Sequence, residues 1–119
     1  MVPPARSTRV VRLSAGQGHS AFVTFDGTLF TCGFASYGRL GVVIAADEPC
    51  AMCAANSIRR CVPTPVRVPL PSGRRAKCVA AGNDHTVVGL DDGSVWVFGR
   101  GQAGQLGCGD RKDRLTPGA

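Results

Sequence analysis

Two groups of residues in this chain have spacings suited to chemistry. Gly99, Gly101 and Gly104 spell G-x-G-x-x-G in GRGQAGQLGCG, directly after the apolar run SVWVFG. In a nucleotide-binding enzyme such a loop turns tightly after a strand, and the N-terminus of the following helix holds a pyrophosphate. That chemistry requires the helix itself and an acidic residue roughly 20 positions on. After Gly104 the sequence reads QLGCGDRKDRLTPGA, with neither an apolar helical stripe nor a second parallel strand. The second group is Cys50, Cys53 and Cys61. C-x2-C is a zinc-ligand spacing, and three thiolates need one more ligand to complete a tetrahedron. Asp47 is near, no partner C-x2-C pair exists, and neither histidine lies in that segment. Zinc, a redox or disulfide pair, and ordinary free thiols all remain open readings, with free thiols fitting best.

His19 and His85 each precede a hydroxyl residue, Ser20 and Thr86, and could be read as general bases. No acidic residue recurs beside them to complete a triad. A histidine repeated at one position serves a repeated fold, so each imidazole is expected to hydrogen-bond the backbone. Asp26 and Asp92 each precede glycine and read as turn formers rather than a catalytic pair of carboxylates. No catalytic, cofactor-binding or metal residue is assigned, and the chain is read as a non-enzyme.

The elements that position these residues come from an internal duplication. Ser14–Gly41, SAGQGHSAFVTFDGTLFTCGFASYGRLG, aligns without a gap on Ala80–Gly107, AAGNDHTVVGLDDGSVWVFGRGQAGQLG, at an offset of 66. Nine of 28 positions are identical, concentrated at glycines and turn residues. The residue matching Gly101 is Ala35, so the middle glycine of the nucleotide-like loop is absent from its sister copy. In each copy three strands are predicted: Val10–Leu13, Ser20–Phe25 and Thr28–Cys32, then Lys77–Ala80, Thr86–Leu90 and Ser94–Phe98. Asp-Gly closes the hairpin, because glycine accepts positive φ and aspartate tolerates the turn. A glycine corner, G-x4-G-x-L-G, follows, its leucine anchored in the core. Phe22, Val23, Leu29, Val88, Leu90, Val95 and Val97 are expected to line the sheets, and Trp96, aligned with Phe30, to pack in the core.

The pattern G-x-x-H-[ST]-x5-D-G-x5-G-x4-G-x-L-G resembles the regulator of chromosome condensation repeat. The resemblance covers most of the chain from Val10 onward. It implies an all-β fold: a β-propeller of four-stranded blades, here a partial one of two blade units. Such families are mostly interaction platforms. The resemblance therefore implies a non-catalytic protein-interaction module, with guanine nucleotide exchange on the small GTPase Ran as an alternative. Implied partners are proteins, a small GTPase or chromatin among them, and no membrane. A zinc-binding loop on the propeller scaffold is a second alternative.

Residues 1–9 are expected to be a flexible N-terminus. Repeat 1 spans about 10–41, an inserted loop 42–62, repeat 2 63–107 and a tail 108–119. The spacing from Gly41 to Pro65 exceeds that from Gly107 to Pro117 by 14 residues. Pro65 and Pro117 are read as openings of new units, so the insertion is expected to join blades at the surface, with a helical turn near Cys50–Ile58. A net charge of +6 suits an acidic partner, although no run of five like charges occurs. MVPPARSTRVVR lacks a signal-peptide core, and no stretch approaches the roughly 18 apolar residues of a span. The expected location is intracellular, cytoplasm or nucleus, a compartment with reduced thiols for the six cysteines, Cys32, Cys78 and Cys108 together with Cys50, Cys53 and Cys61. Two blades leave two lateral faces uncovered, so self-association or a second propeller chain is expected.

Overall fold

The hairpin chemistry read from Asp-Gly builds both halves of the molecule. In the computed structural model, which describes residues 9–42, 61–107, 109 and 111–118, Gly27 and Gly93 sit at φ +84° and +85°. Each turn is closed by a backbone bond, Thr24 N–H to Thr28 O at 3.0 Å and Leu90 N–H to Ser94 O at 2.9 Å. The preceding aspartates accept from backbone N–H groups two residues on, Thr28 at 3.2 Å and Ser94 at 2.9 Å. This is the local reason for aspartate at both turns.

The strands are β1 (Val10–Ala15), β2 (His19–Thr24), β3 (Leu29–Phe34), β4 (Cys61–Arg67), β5 (Ala76–Ala81), β6 (His85–Leu90), β7 (Val95–Gly99) and β8 (Arg114–Gly118). They form two four-stranded sheets, ordered β1-β2-β3-β4 and β5-β6-β7-β8. Every neighbouring pair is antiparallel. Register shifts recur at equivalent places, Val10/Arg12 with Ala76/Cys78 and Thr31/Gly33 with Val97/Gly99. Gly33 and Gly99, at φ +108° and +117°, supply the conformation that the second of these bulges needs.

Six strands match the sequence reading to within two residues at each end. The fourth strands do not. Cys61–Arg67 is the outer strand of the first sheet, paired with β3. The insertion therefore connects β3 to β4 within one blade and does not join two blades, and Cys61 and Val62 belong to a strand. Structural blade and sequence repeat are out of phase: the residues that open the second repeat complete the first sheet. The expected helical turn near Cys50–Ile58, and residues 1–8, lie outside the described residues.

The sheets face each other across an apolar junction. Val23, Leu29, Val68, Val88 and Phe98 are each at most 1% exposed, and Leu70, Val79 and Trp96 pack against them. Full burial of such a side chain contributes about 1.5–3 kcal/mol. The expected corner anchors Leu40 and Leu106 are both buried. Val95 is not a lining residue, since it is 56% exposed, and Phe22 is half-buried, stacked on Phe30 at 5.3 Å between ring centroids.

The three glycines of the nucleotide-like loop are explained by packing at Gly99 and Gly101 and by backbone conformation at Gly104. A Cβ at Gly99 would collide with the Asp84 carbonyl oxygen and the His85 backbone, and one at Gly101 with the Lys112 carbonyl. Gly104 holds φ +78°, where a side chain is strained.

Candidate functional site at the junction of the two sheets

The G-x-x-H loops before β2 and β6, and the corner after β3, meet at one end of the junction. There β2 delivers His19, which is 2% exposed. Its Nε2 lies 2.9 Å from Thr86 Oγ1 on β6. The Thr86 hydroxyl donates to the Arg39 carbonyl at 2.8 Å. With that proton committed, His19 Nε2–H must be the donor in the first bond, which leaves Nδ1 unprotonated. His19 Nδ1 is buried with no hydrogen-bond partner. Burial, the Arg39 guanidinium and the His85 imidazole push the His19 pKa from 6.5 down to about 4, with the Asp84 carboxylate and the His85 backbone opposing them. An imidazole-to-hydroxyl bond between sheets thus stands beside the contact of the ring with the His85 backbone. A ring sealed in this way holds two sheets together and presents no base to a substrate.

Arg39 carries the circuit outward. Its side chain, 7% exposed, meets Asp84 at 2.8 Å. It also donates to Ser36 O at 3.0 Å, Gln17 O at 2.9 Å and Asn83 O at 3.3 Å. A buried guanidinium so fully paired ties the two loops together. Arg100 reaches the other Asp84 oxygen at 3.4 Å, while its Nε is buried without a partner. Two guanidiniums thus share one carboxylate and leave surplus positive charge. Tyr37 completes the group, 40% exposed, with Arg100 at 4.7 Å and Arg39 at 5.8 Å from its ring centre. Both distances are within cation–π range. Tyr37 holds φ +65°, the only non-glycine with positive φ among the described residues. Such strain persists only where its surroundings enforce it. Gln17, Gly18, Phe34 and Ser36 complete the walls of this groove, whose volume is about 650 Å³.

Sequence reasoning missed these four residues. The signal was present: Tyr37, Arg39, Asp84 and Arg100 align with Ala103, Gln105, Gly18 and Phe34. All four fall where the copies differ, and scaffold duty accounts for the positions where they agree. The residues the sequence did single out are dispersed. Asp26 and Asp92 sit at the hairpin turns, their carboxyls held below the ordinary 3.8 mainly by hydrogen bonds from Thr24 and from Ser94. Ser20 is exposed, whereas its counterpart Thr86 is buried. Cys32 and Cys78 are free thiols, half-buried and exposed. Asp47, Cys50, Cys53, Cys108 and the Cys61 side chain lie outside the described residues. Among the described residues, no three His, Cys, Asp or Glu side chains are grouped to hold a metal. No helix is long and apolar enough to cross a membrane among them.

Comparison with known proteins places this geometry. A regulator of chromosome condensation (RCC1) repeat model matches residues 26–88, and a second matches 10–39 and 76–105. The ultraviolet-B receptor UVR8 of Arabidopsis thaliana is 32% identical over 109 residues, which cover 92% of this chain and 22% of that protein. The human regulator of chromosome condensation is 36% identical over 99 residues, 83% of this chain and 20% of that protein. The crystal structure of Prp20p from Saccharomyces cerevisiae, reported with its binding properties to Gsp1p and histones, superposes with a TM-score of 0.79 at 25% identity. The match covers 98% of this chain and 26% of that one. Human WBSCR16 superposes with a TM-score of 0.73 at 28% identity, over 91% of this chain and 25% of its own. The chain thus spans about a quarter or less of each of these proteins.

Proposed function

This chain belongs to the regulator of chromosome condensation (RCC1) repeat family, and from that premise we propose that it is a non-catalytic protein-interaction module whose partner engages the Tyr37–Arg100 groove. The fold is two blades of such a propeller. The observation that carries the reading is the half-exposed tyrosine held against two guanidiniums that share one carboxylate. Tyrosine and arginine are the types enriched where binding energy concentrates. The surplus guanidinium charge suits a carboxylate-bearing surface, in keeping with the chain's net charge of +6.

A second reading, exchange on a small GTPase, draws support from the binding properties of Prp20p to Gsp1p. The zinc alternative rests on Cys50, Cys53 and Cys61, whose side chains lie outside the described residues. An intracellular location is part of the proposal.

Interferometry with immobilised Gsp1p and with core histones, paired with release of a fluorescent nucleotide from Gsp1p, tests both readings. The module reading expects saturable binding, unaccompanied by faster release and weakened at least about tenfold by Tyr37→Ala or Arg100→Ala, which is about 1.4 kcal/mol. Accelerated release would favour exchange. No saturable binding to either probe, or binding indifferent to both substitutions, would count against the groove.

A further inference from the structure

The backbone that joins the two sheets also builds a second cleft, at the end of the junction opposite the Tyr37–Arg100 groove. One wall is the hairpin turn between β2 and β3, and the other is the connection from β4 to β5. The cleft has a volume of about 620 Å³, within the range of a ligand site. Main-chain hydrogen bonds fix its walls. Val68 N–H donates to Leu29 O at 2.9 Å, Ala76 N–H to Gly27 O at 2.8 Å and Arg74 N–H to Pro71 O at 3.0 Å. Both walls belong to this pair of sheets, so the cleft does not depend on what packs against their outer faces.

Arg67, at the end of β4, and Arg74 and Arg75, just before β5, line this cleft, and all three are exposed. The stem of Arg75 rests on the turn: a Cβ on Gly27 would lie 2.3 Å from Arg75 Cβ and 2.8 Å from its Cγ. A stem packed in this way leaves its charged head in water and less freedom to lose on binding. Arg74 Nε is held 3.4 Å from Asp92 Oδ2. The guanidiniums of Arg67 and Arg75 make no hydrogen bond or ion pair to another described residue. The nearby carboxylates are engaged by their own turns. Asp26 accepts from the Thr24 hydroxyl at 2.5 Å and Thr28 N–H at 3.2 Å, and Asp92 from Ser94 N–H at 2.9 Å and its hydroxyl at 2.5 Å. The two ends of the junction therefore differ. In the groove Arg39 is spent on Asp84 and three carbonyls, whereas the cleft holds two guanidiniums with their donors unspent.

We propose that this cleft binds a phosphate monoester carried on a serine or threonine of a partner protein. A carboxylate offers two oxygens and is matched by one guanidinium fork. A phosphate monoester carries nearly two charges and three acceptor oxygens, which suits several guanidiniums lining one cleft. Arg67 and Arg75 donate to the phosphate, and Arg74 adds its charge while staying with Asp92. Leu70 and Pro71, both half-buried in the wall, give an apolar seat to the residue beside the phosphoserine. A peptide fits such a wall better than a nucleic-acid strand, whose bases stack on aromatic side chains. No aromatic side chain lines the cleft. The site adds a second contact to the interaction module and shares no residue with the groove, so either proposal can fail alone.

Titration of the whole chain, followed by nuclear magnetic resonance of backbone amides and arginine Nε–H groups, tests it. The probes are a short peptide with phosphoserine beside a leucine, the same peptide with serine or glutamate in that place, and a single-stranded oligonucleotide. The phosphopeptide should saturate, and should bind at least about tenfold tighter than the serine and glutamate forms. Its shifts should centre on Gly27, Ser72, Gly73 and the Arg67 and Arg75 side chains. Arg67→Gln and Arg75→Gln should each weaken it about tenfold or more. Both residues are exposed, and glutamine at 75 keeps the carbon stem over Gly27, so the melting of each variant should match the parent. Tyr37→Ala should bind the phosphopeptide as the parent does. No saturable binding of the phosphopeptide, equal affinity for the glutamate form, or indifference to both arginine substitutions would overturn the proposal. So would an oligonucleotide that binds as tightly and moves the same resonances.

Discussion

Acidification should loosen the junction through one residue. His19 carries a pKa of about 4 in the folded chain against 6.5 for the free side chain. Burial is the first cause, followed by the charges of Arg39 and His85, and they outweigh the Asp84 carboxylate and the His85 backbone, which favour the charged ring. Between those two values the unfolded chain binds a proton that the folded chain refuses. Stability is thus fully present above pH 6.5 and is lost as pH falls toward 4, with a limiting slope of about 1.4 kcal/mol per pH unit. From about pH 7 to pH 4.5 the loss comes to about 2 kcal/mol, a large share of the stability of a small domain. Asp26 and Asp92, both held below their ordinary values, lose their contributions in the same direction but only below the usual carboxylate range. Urea unfolding followed by circular dichroism across this range, at a concentration where the chain is monomeric, measures the slope. His19→Leu should begin less stable and lose most of the pH dependence, since it removes the titrating ring while leaving the Thr86-to-Arg39 bond in place. A parent whose stability changes by less than about 0.5 kcal/mol, or a slope that survives in His19→Leu, would refute the reasoning.

Three further outcomes follow from packing and backbone conformation at the corners and turns. Gly16→Ala should cost more than about 2 kcal/mol, because its Cβ would lie 2.6 Å from His19 Cε1 and against the Gly82 carbonyl. Gly93→Ala, unobstructed but at φ +85°, should cost about 1 kcal/mol, and thermal melts would separate the two. Leu40→Ala, at 0% exposure, should cost about 2–5 kcal/mol in urea titrations. An equal tolerance of Leu40→Ala and of a surface truncation would disprove the anchoring role of that corner.

Local chemistry was legible in the sequence. Asp-Gly turns, alternating strands and the G-x4-G-x-L-G corner are each specified within a few residues, and the duplication states every one of them twice. β1, β2, β3, β5, β6 and β7 could therefore be read directly. β4 and β8 could not, because a strand's membership of a sheet is a non-local property. CVPTPVR and RLTPG carry prolines that argue against a central strand, and outer strands tolerate them because one edge needs no donors. The intervening insertion further hid that β4 returns to β3.

Period-two alternation also told which residues share a face, but only the approach of the second sheet decided which face is covered. Leu29 and Val95 hold one repeat position, yet a neighbour buries the first and nothing among the described residues covers the second. The same division holds for the histidines. Their recurrence marked them as scaffold, but the acceptor of the His19 proton was set by where β6 placed Thr86. The groove was least legible of all. Tyr37, Arg39, Asp84 and Arg100 come from three separate loops, and charges so far apart along a chain converge only when the two sheets dock.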